Sequence, residues 1–217
     1  MPTAEEGWPG PAAGSAERPP TMVDLAFDIA GEGEGLAPDY PRRLLAAVAR
    51  RLAWFADERW AGIHPIKGPR VDAVVLVSRR AKLVLRLPQS HVEAARALSG
   101  ARLDVGGATL VVGVGRVRAL EPHPTLHARQ VVLGADDEVM FHAALGGRLA
   151  ALGVPARFVC GRCVSLATDH GALTGFSVAL HGLSAAHSLL IQQQGLGEGR
   201  KLGCGIFVPH RVIAGLE

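Results

Sequence analysis

One pattern of strands and helices runs through this chain twice, and that repeat limits its fold more than any other feature. Val23–Ile29 alternates like a strand. Pro41–Trp60 carries Leu44, Leu45, Val48, Leu52 and Phe55 at helical spacing, with Asp39 placed to cap it. Two β-branched runs, Val71–Ser78 and Lys82–Leu87, flank Arg79-Arg80-Ala81 and predict a hairpin. Ser90 and Glu93 have the spacing of a capping box that opens a short helix ending near Gly100. Leu103–Val117 is strand-like, with a break at Gly106-Gly107. The second half repeats this order. His127–Leu133 reads as a strand, and Asp136 or Asp137 caps a helix that ends at Gly153. Arg157–Ala167 and Ala172–His181 predict a hairpin about Asp169-His170-Gly171, followed by a helix over Ser184–Gln194 and a last strand within Gly203–Val212. Two βαββαβ passes predict an α+β fold of two tandem ferredoxin-like (RRM-like) domains, over 22–120 and 121–217.

Residues 1–21 stand outside this pattern. They are rich in Pro, Ala, Gly and Glu without an apolar period, and they predict a disordered N-terminal tail, with Met22 a possible natural start. The rest of the 217 residues, at 48% apolar overall, suffices for one large core or two small ones. No apolar run reaches the ~18–20 residues of a membrane helix, and no export signal opens the chain. The odd count of 3 cysteines suits a reducing, cytoplasmic setting. Charge is uneven. Residues 22–120 hold fifteen Lys/Arg against ten Asp/Glu, and residues 121–217 hold seven of each. A basic first half is compatible with a polyanionic partner, although clustered arginines are as often a solvated face.

The segment from Gly195 to Gly205 holds five glycines in eleven residues, with Arg200 and Lys201 between them. It follows a helix and precedes a strand. Phosphate loops of the dinucleotide and nucleotide folds require the opposite order, strand before helix. A C-cap glycine and a bulged turn would explain two of the glycines. The full set of Gly195, Gly197, Gly199, Gly203 and Gly205 predicts a backbone-hugging loop for a long anion, with Arg200 and Lys201 at its tip. Arg79, Arg80, Arg157 and Arg162, in the two hairpins, are weaker candidates for phosphate contact.

Among nine histidines, His64 is singled out by its surroundings, Gly62-Ile63-His64-Pro65-Ile66-Lys67-Gly68-Pro69-Arg70. Glycines and prolines restrict the backbone, and Lys67 and Arg70 bring cations close in sequence. An imidazole beside fixed cations suits metal-free RNA cleavage: it moves the proton of a ribose 2′-hydroxyl or of the leaving oxygen, while the cations stabilise the charged phosphorane. The bland alternative is a loop histidine bonded to its own turn.

Together, the paired domains, the helix followed by His64–Arg70 and the terminal glycine loop resemble the CRISPR-associated repeat-processing endoribonucleases of the RAMP superfamily, nearest the compact subgroup of the myxan-type type I systems. The resemblance spans about residues 22–212. It implies an enzyme that cuts precursor CRISPR RNA once per repeat, a stem-loop, with no metal and no cofactor, leaving a 2′,3′-cyclic phosphate and a 5′-hydroxyl. It also implies that such a protein can stay on the mature guide RNA as a subunit of a type I effector complex. The family's histidine falls on His64, its basic residue on Arg70 with Lys67 as rival, and its loop on Gly195, Gly197, Gly203 and Gly205. Relatives with a tyrosine inside the first helix differ from this chain, which has Ala46, Ala47 and Ala49 there and its one tyrosine, Tyr40, at the helix start. A non-catalytic RNA-binding subunit of the same superfamily is the main alternative. Cys160 and Cys163 have half a zinc spacing, but only Cys204 and His170 could complete a site, so they read as strand thiols. His123-Pro124-Thr125 is a single His-x-Thr, where the two-histidine phosphoesterases need two. From this reading His64 is expected at the mouth of a positive cleft between the domains, with the glycine loop at a distance.

Overall fold

A computed structural model describes residues 18–33, 35–72, 74–168 and 171–210. Most of the predicted tail, residues 1–17, and the hairpin tip at Asp169 and His170 lie outside the described residues. The first pass comprises β1 (Met22–Gly33), α1 (Tyr40–Arg51), α2 (Trp54–Asp57), β2 (Gly62–Ile63), β3 (Arg70–Val71), β4 (Val74–Val75), β5 (Lys82–Pro88), α3 (Val92–Ala95), β6 (Arg102–Asp104) and β7 (Ala108–Ala119). Its main sheet has the order β2-β5-β1-β7-β6, all antiparallel. The second pass comprises β8 (Thr125–Val131), α4 (Glu138–Ala151), β9 (Arg157–Thr168), β10 (Gly171–His181), α5 (Ala185–Gln194) and β11 (Val208–Pro209), in the order β11-β8-β10-β9. In each sheet the first strand of the pass lies between the third and the last, which is the split βαβ connectivity of a ferredoxin-like fold.

Each sheet covers its own apolar cluster. On β1, Leu25, Phe27 and Ile29 meet Leu44, Val48 and Leu52 of the first helical segment, together with Leu83, Leu85 and Leu87 of β5. In the second pass, Phe141, Leu145 and Leu149 of α4 pack with Leu126, Phe176, Val178 and Leu180. Strand alternation makes this possible: every second residue faces the helices and its neighbours face away.

Four local expectations change. Val71–Ser78 is not the second strand of the first sheet. That place is taken by β2, two residues long, while β3 and β4 form a separate two-stranded ribbon. A β-branched run signals extended backbone but not its partner, and the loop after His64 carries this one away from β5. Asp39 does not cap α1; its carboxylate binds Arg43 at 2.7 Å and Arg42 at 3.5 Å instead. Ser90 makes no cap bond either, and the predicted helix there is broken into short 3₁₀ and α turns. At its near end the tail is tethered, because Thr21 O accepts a hydrogen bond from Gln89 N at 2.8 Å. The cap expected at Asp136 or Asp137 is made by Asp137, whose Oδ1 accepts from the amides of Val139 and Met140. A further cap, not expected, is made by Ser184 Oγ, which accepts from the amide of His187. No helix among the described residues is long and apolar enough to cross a membrane.

Candidate active site

Asp24, Arg86 and Gly62 occupy one row across three adjacent strands: Asp24 is paired with Arg86, and Arg86 with Gly62. Alternation turns this row away from the first core, and an isolated sheet would leave it in water. The second pass covers it instead, and Arg86 is only 1% exposed. The Arg86 guanidinium grips Asp24 with two bonds, Nε to Oδ1 at 2.8 Å and Nη2 to Oδ2 at 3.0 Å. Its Nη1 donates to Gln192 O at 3.0 Å and to Phe207 O at 2.7 Å, one on either flank of the glycine segment. One side chain therefore holds a carboxylate of the first sheet and both ends of a loop from the second.

His64 follows β2 directly and completes this group. Its backbone N donates to Val84 O at 2.9 Å, and its Nε2 lies 3.2 Å from Asp24 Oδ1. Nδ1 makes no hydrogen bond among the described residues and is not among the sealed polar atoms. The side chain is 13% exposed, so it is recessed rather than open at a cleft mouth as expected. Burial lowers its pKa below the usual imidazole value; Asp24 opposes this, and the charges of Arg86 and Arg200 add to it. Burial works to raise the Asp24 carboxyl, but interactions with His64 and Arg86 outweigh it and hold Asp24 well below the usual carboxylate range. At neutral pH the site thus holds a neutral imidazole, an ionised carboxylate and two guanidinium ions.

The glycine loop lies against His64 rather than far from it. A β-carbon built on Gly203 would stand 3.0 Å from Pro65 Cγ, and one on Gly62 would stand 2.7 Å from Arg200 Cγ. Arg200 and Lys201 are not at an outward tip. Arg200 Nη2 donates to Gln193 O at 2.7 Å, while its Nε and Nη1 are sealed without partners. Burial and then repulsion from Arg86 push this guanidinium down to about 9, so it stays charged at neutral pH. Lys201 Nζ donates to Ala56 O in the first pass. The glycines are needed because the loop folds back on protein backbone. Gly197 has φ 79°, and a β-carbon there would lie 2.1 Å from Val132 O. Many of the loop's amides are used internally, among them Glu198 N to Val132 O at 3.0 Å and Gly205 N to Gln130 O at 2.7 Å. Gly197→Ala should therefore lower the unfolding free energy read from a urea titration by ~1–3 kcal/mol, whereas Gly147→Ala, in α4 with nothing within 4 Å, should be neutral or mildly stabilising.

The remaining expected residues are spread out. Arg70 lines a cleft of about 150 Å³ between the passes with Tyr40 and Pro65 on one side and Arg129, Gln130 and Gly203 on the other. His64 opens on an adjoining crevice that shares Tyr40 and Pro65. Tyr40 is buried and its hydroxyl accepts from Ile66 N at 3.0 Å, which pins the loop carrying His64. Lys67 is exposed, and its charge is felt at His127 on β8. Arg79 and Arg80 sit exposed in the turn before β5; Arg157 and Arg162 sit exposed on β9, at the edge of the second sheet. Cys160 and Cys163 lie on β9 and Cys204 is buried, its thiol pushed up to about 12 by burial. No group of three metal-ligating side chains occurs among the described residues. Asp24, Arg86 and Arg129 were not predicted. In sequence each is an ordinary polar position on an amphipathic strand.

A model of the Cas6 CRISPR family matches residues 23–212. The CRISPR-associated endonuclease Cas6 of Myxococcus xanthus (strain DK1622) is 37% identical over 190 residues, covering 87% of this chain and 81% of that protein. Among solved structures, a Cas6-related protein from Pyrococcus furiosus gives a TM-score of 0.62 at 10% identity over 86% of this chain and 98% of its own. The CRISPR endoribonuclease Cse3, bound to a 19 nt RNA, gives 0.51 at 11% identity over 86% and 98%. At such identities these two likenesses speak for the fold. The family match spans both sheets, the His64 loop and the glycine segment packed on it, and this chain belongs to the Cas6 family of CRISPR proteins.

Proposed function

We propose that this chain is an endoribonuclease that binds precursor CRISPR RNA and cuts it within its repeats without a metal ion. The observation that carries the reading is the placement of His64: an imidazole held by one nitrogen where the two passes of a Cas6-family chain meet, among fixed cations. His64 Nδ1 takes the proton of a ribose 2′-hydroxyl. The 2′-oxygen attacks the adjacent phosphorus, the P–O5′ bond breaks, the 5′-oxygen takes a proton from solvent water as it leaves, and His64 returns its proton to solvent. The products are a 2′,3′-cyclic phosphate and a 5′-hydroxyl. Arg70, on the adjoining cleft, supports the developing phosphorane charge, and Lys67 is its rival.

RNA is held through its backbone by exposed cations, Arg70, Arg79, Arg80, Arg157 and Arg162, and by the outer bend of the glycine loop at Gly197. Such contacts set position and do not read sequence, and A-form shape supplies recognition of a stem-loop. Arg200 and Lys201 act from inside, keeping the loop seated beside His64. The division into units over 22–120 and 121–217 belongs to the same proposal, and the two separate apolar clusters support it. So does retention on the guide RNA as a subunit of a type I effector complex.

The test is a labelled repeat RNA incubated in EDTA with excess protein across a range of pH. A single cut giving a cyclic phosphate is expected. The rate should be level above pH ~6.5, the ordinary imidazole value, and should fall only below it, because a base must be unprotonated and this imidazole has a lowered pKa. A second reading, a non-catalytic RNA-binding subunit, is favoured by the recessed position of His64. RNA retained uncut at every pH would establish it in place of the first.

A further inference from the structure

The row formed by Asp24 and Arg86 has a role that follows from its geometry. We propose that Asp24 is a positioning residue for His64, holding its Nε2–H so that Nδ1 carries the free lone pair, and that Arg86 fixes Asp24 and docks it to both flanks of the glycine loop. The proposal rests on the catalytic reading of His64.

The geometry supports each step. Asp24 Oδ1 is within 3.2 Å of Nε2, an ionised carboxylate accepts only, and the imidazole must therefore donate from that nitrogen. The carboxylate cannot swing away, because Arg86 holds both its oxygens from the neighbouring strand. Arg86 is fixed in turn by Gln192 O and Phe207 O, so the second pass clamps it on the side away from Asp24. The tautomer of His64 thus depends on how the two passes dock. Groups facing the imidazole come from every neighbouring element: Asp24 from β1, Arg86 from β5, Tyr40 from α1, and Arg200 and Lys201 from the loop. Asp24 is the sole carboxylate of this set. Without it the remaining cations would leave the imidazole with a still lower pKa, and the ring free to turn.

Three measurements test this. Long-range ¹⁵N NMR of wild-type protein reads the His64 tautomer directly and needs no variant; Nε2–H is expected, and Nδ1–H would overturn the proposal. In Asp24→Asn, the midpoint of the low-pH fall in single-turnover rate should move to lower pH, with the plateau rate ~10²-fold down from loss of orientation and RNA affinity unchanged. A purely structural Asp24 would lower thermal stability while leaving that midpoint and the saturated rate where they are, and that result sinks the idea. Should Asp24→Asn not fold, the wild-type tautomer decides. His64→Ala is run in parallel. If it cleaves at the wild-type rate the catalytic reading falls by itself, while the tautomer still decides whether Asp24 positions the ring.

Discussion

His64→Ala is expected to lower single-turnover cleavage of repeat RNA in EDTA by ~10²–10⁴-fold, the usual cost of losing a positioned acid–base group. Affinity for the same RNA should stay near wild type, because the recessed ring has little surface to offer the backbone. The fold should also survive. Removing the imidazole leaves Asp24 still gripped by both nitrogens of Arg86, so no buried charge loses its main partner. A loss of rate with intact binding and a near-normal melting curve would then report on chemistry alone. His123 gives the control. Its backbone amide is bonded to Ser188 Oγ at 2.8 Å, and an alanine keeps that bond. Cleavage by His64→Ala at the wild-type rate would move the chemistry elsewhere or leave the chain as an RNA-binding subunit.

Arg86→Ala should have the largest effect on stability. It strands the mostly buried Asp24 carboxylate without its cation, and breaking a buried pair from one side costs ~3–5 kcal/mol. It also leaves Gln192 O and Phe207 O without their donor. For a chain of this size that is a fall of ~10 °C or more in melting temperature. The passes should loosen where they meet, so limited proteolysis should open the 195–205 segment before either sheet. Arg86→Lys should recover little, since an ammonium cannot hold Asp24 in a bidentate grip and reach both carbonyls. An unchanged melting temperature in Arg86→Ala would mean that the two passes are held together by other contacts, such as that of Lys201 Nζ with Ala56 O.

Local order was legible in the residues. The apolar periods of Pro41–Trp60 and of Lys82–Leu87, the cap at Asp136 or Asp137, and the glycine-rich segment between a helix and a strand are all short-range signals, and they convey the α+β order of the chain. The restraint on the loop that carries His64 was legible too, because prolines and glycines restrict a loop whatever packs on it. Strand partnership was not legible: Val71–Ser78 has the stronger β composition, yet Gly62-Ile63 pairs with β5, since pairing is decided by where the chain returns and not by the run itself. The meaning of charged positions was hidden for the same reason. Asp24 and Arg86 occupy the polar phase of amphipathic strands, which in sequence reads as solvent, and Arg200 looks like the tip of a loop. Only the docking of the second pass onto that face takes them out of water. Burial then turns three ordinary surface charges into the bonds and the electrostatic field that set the state of His64.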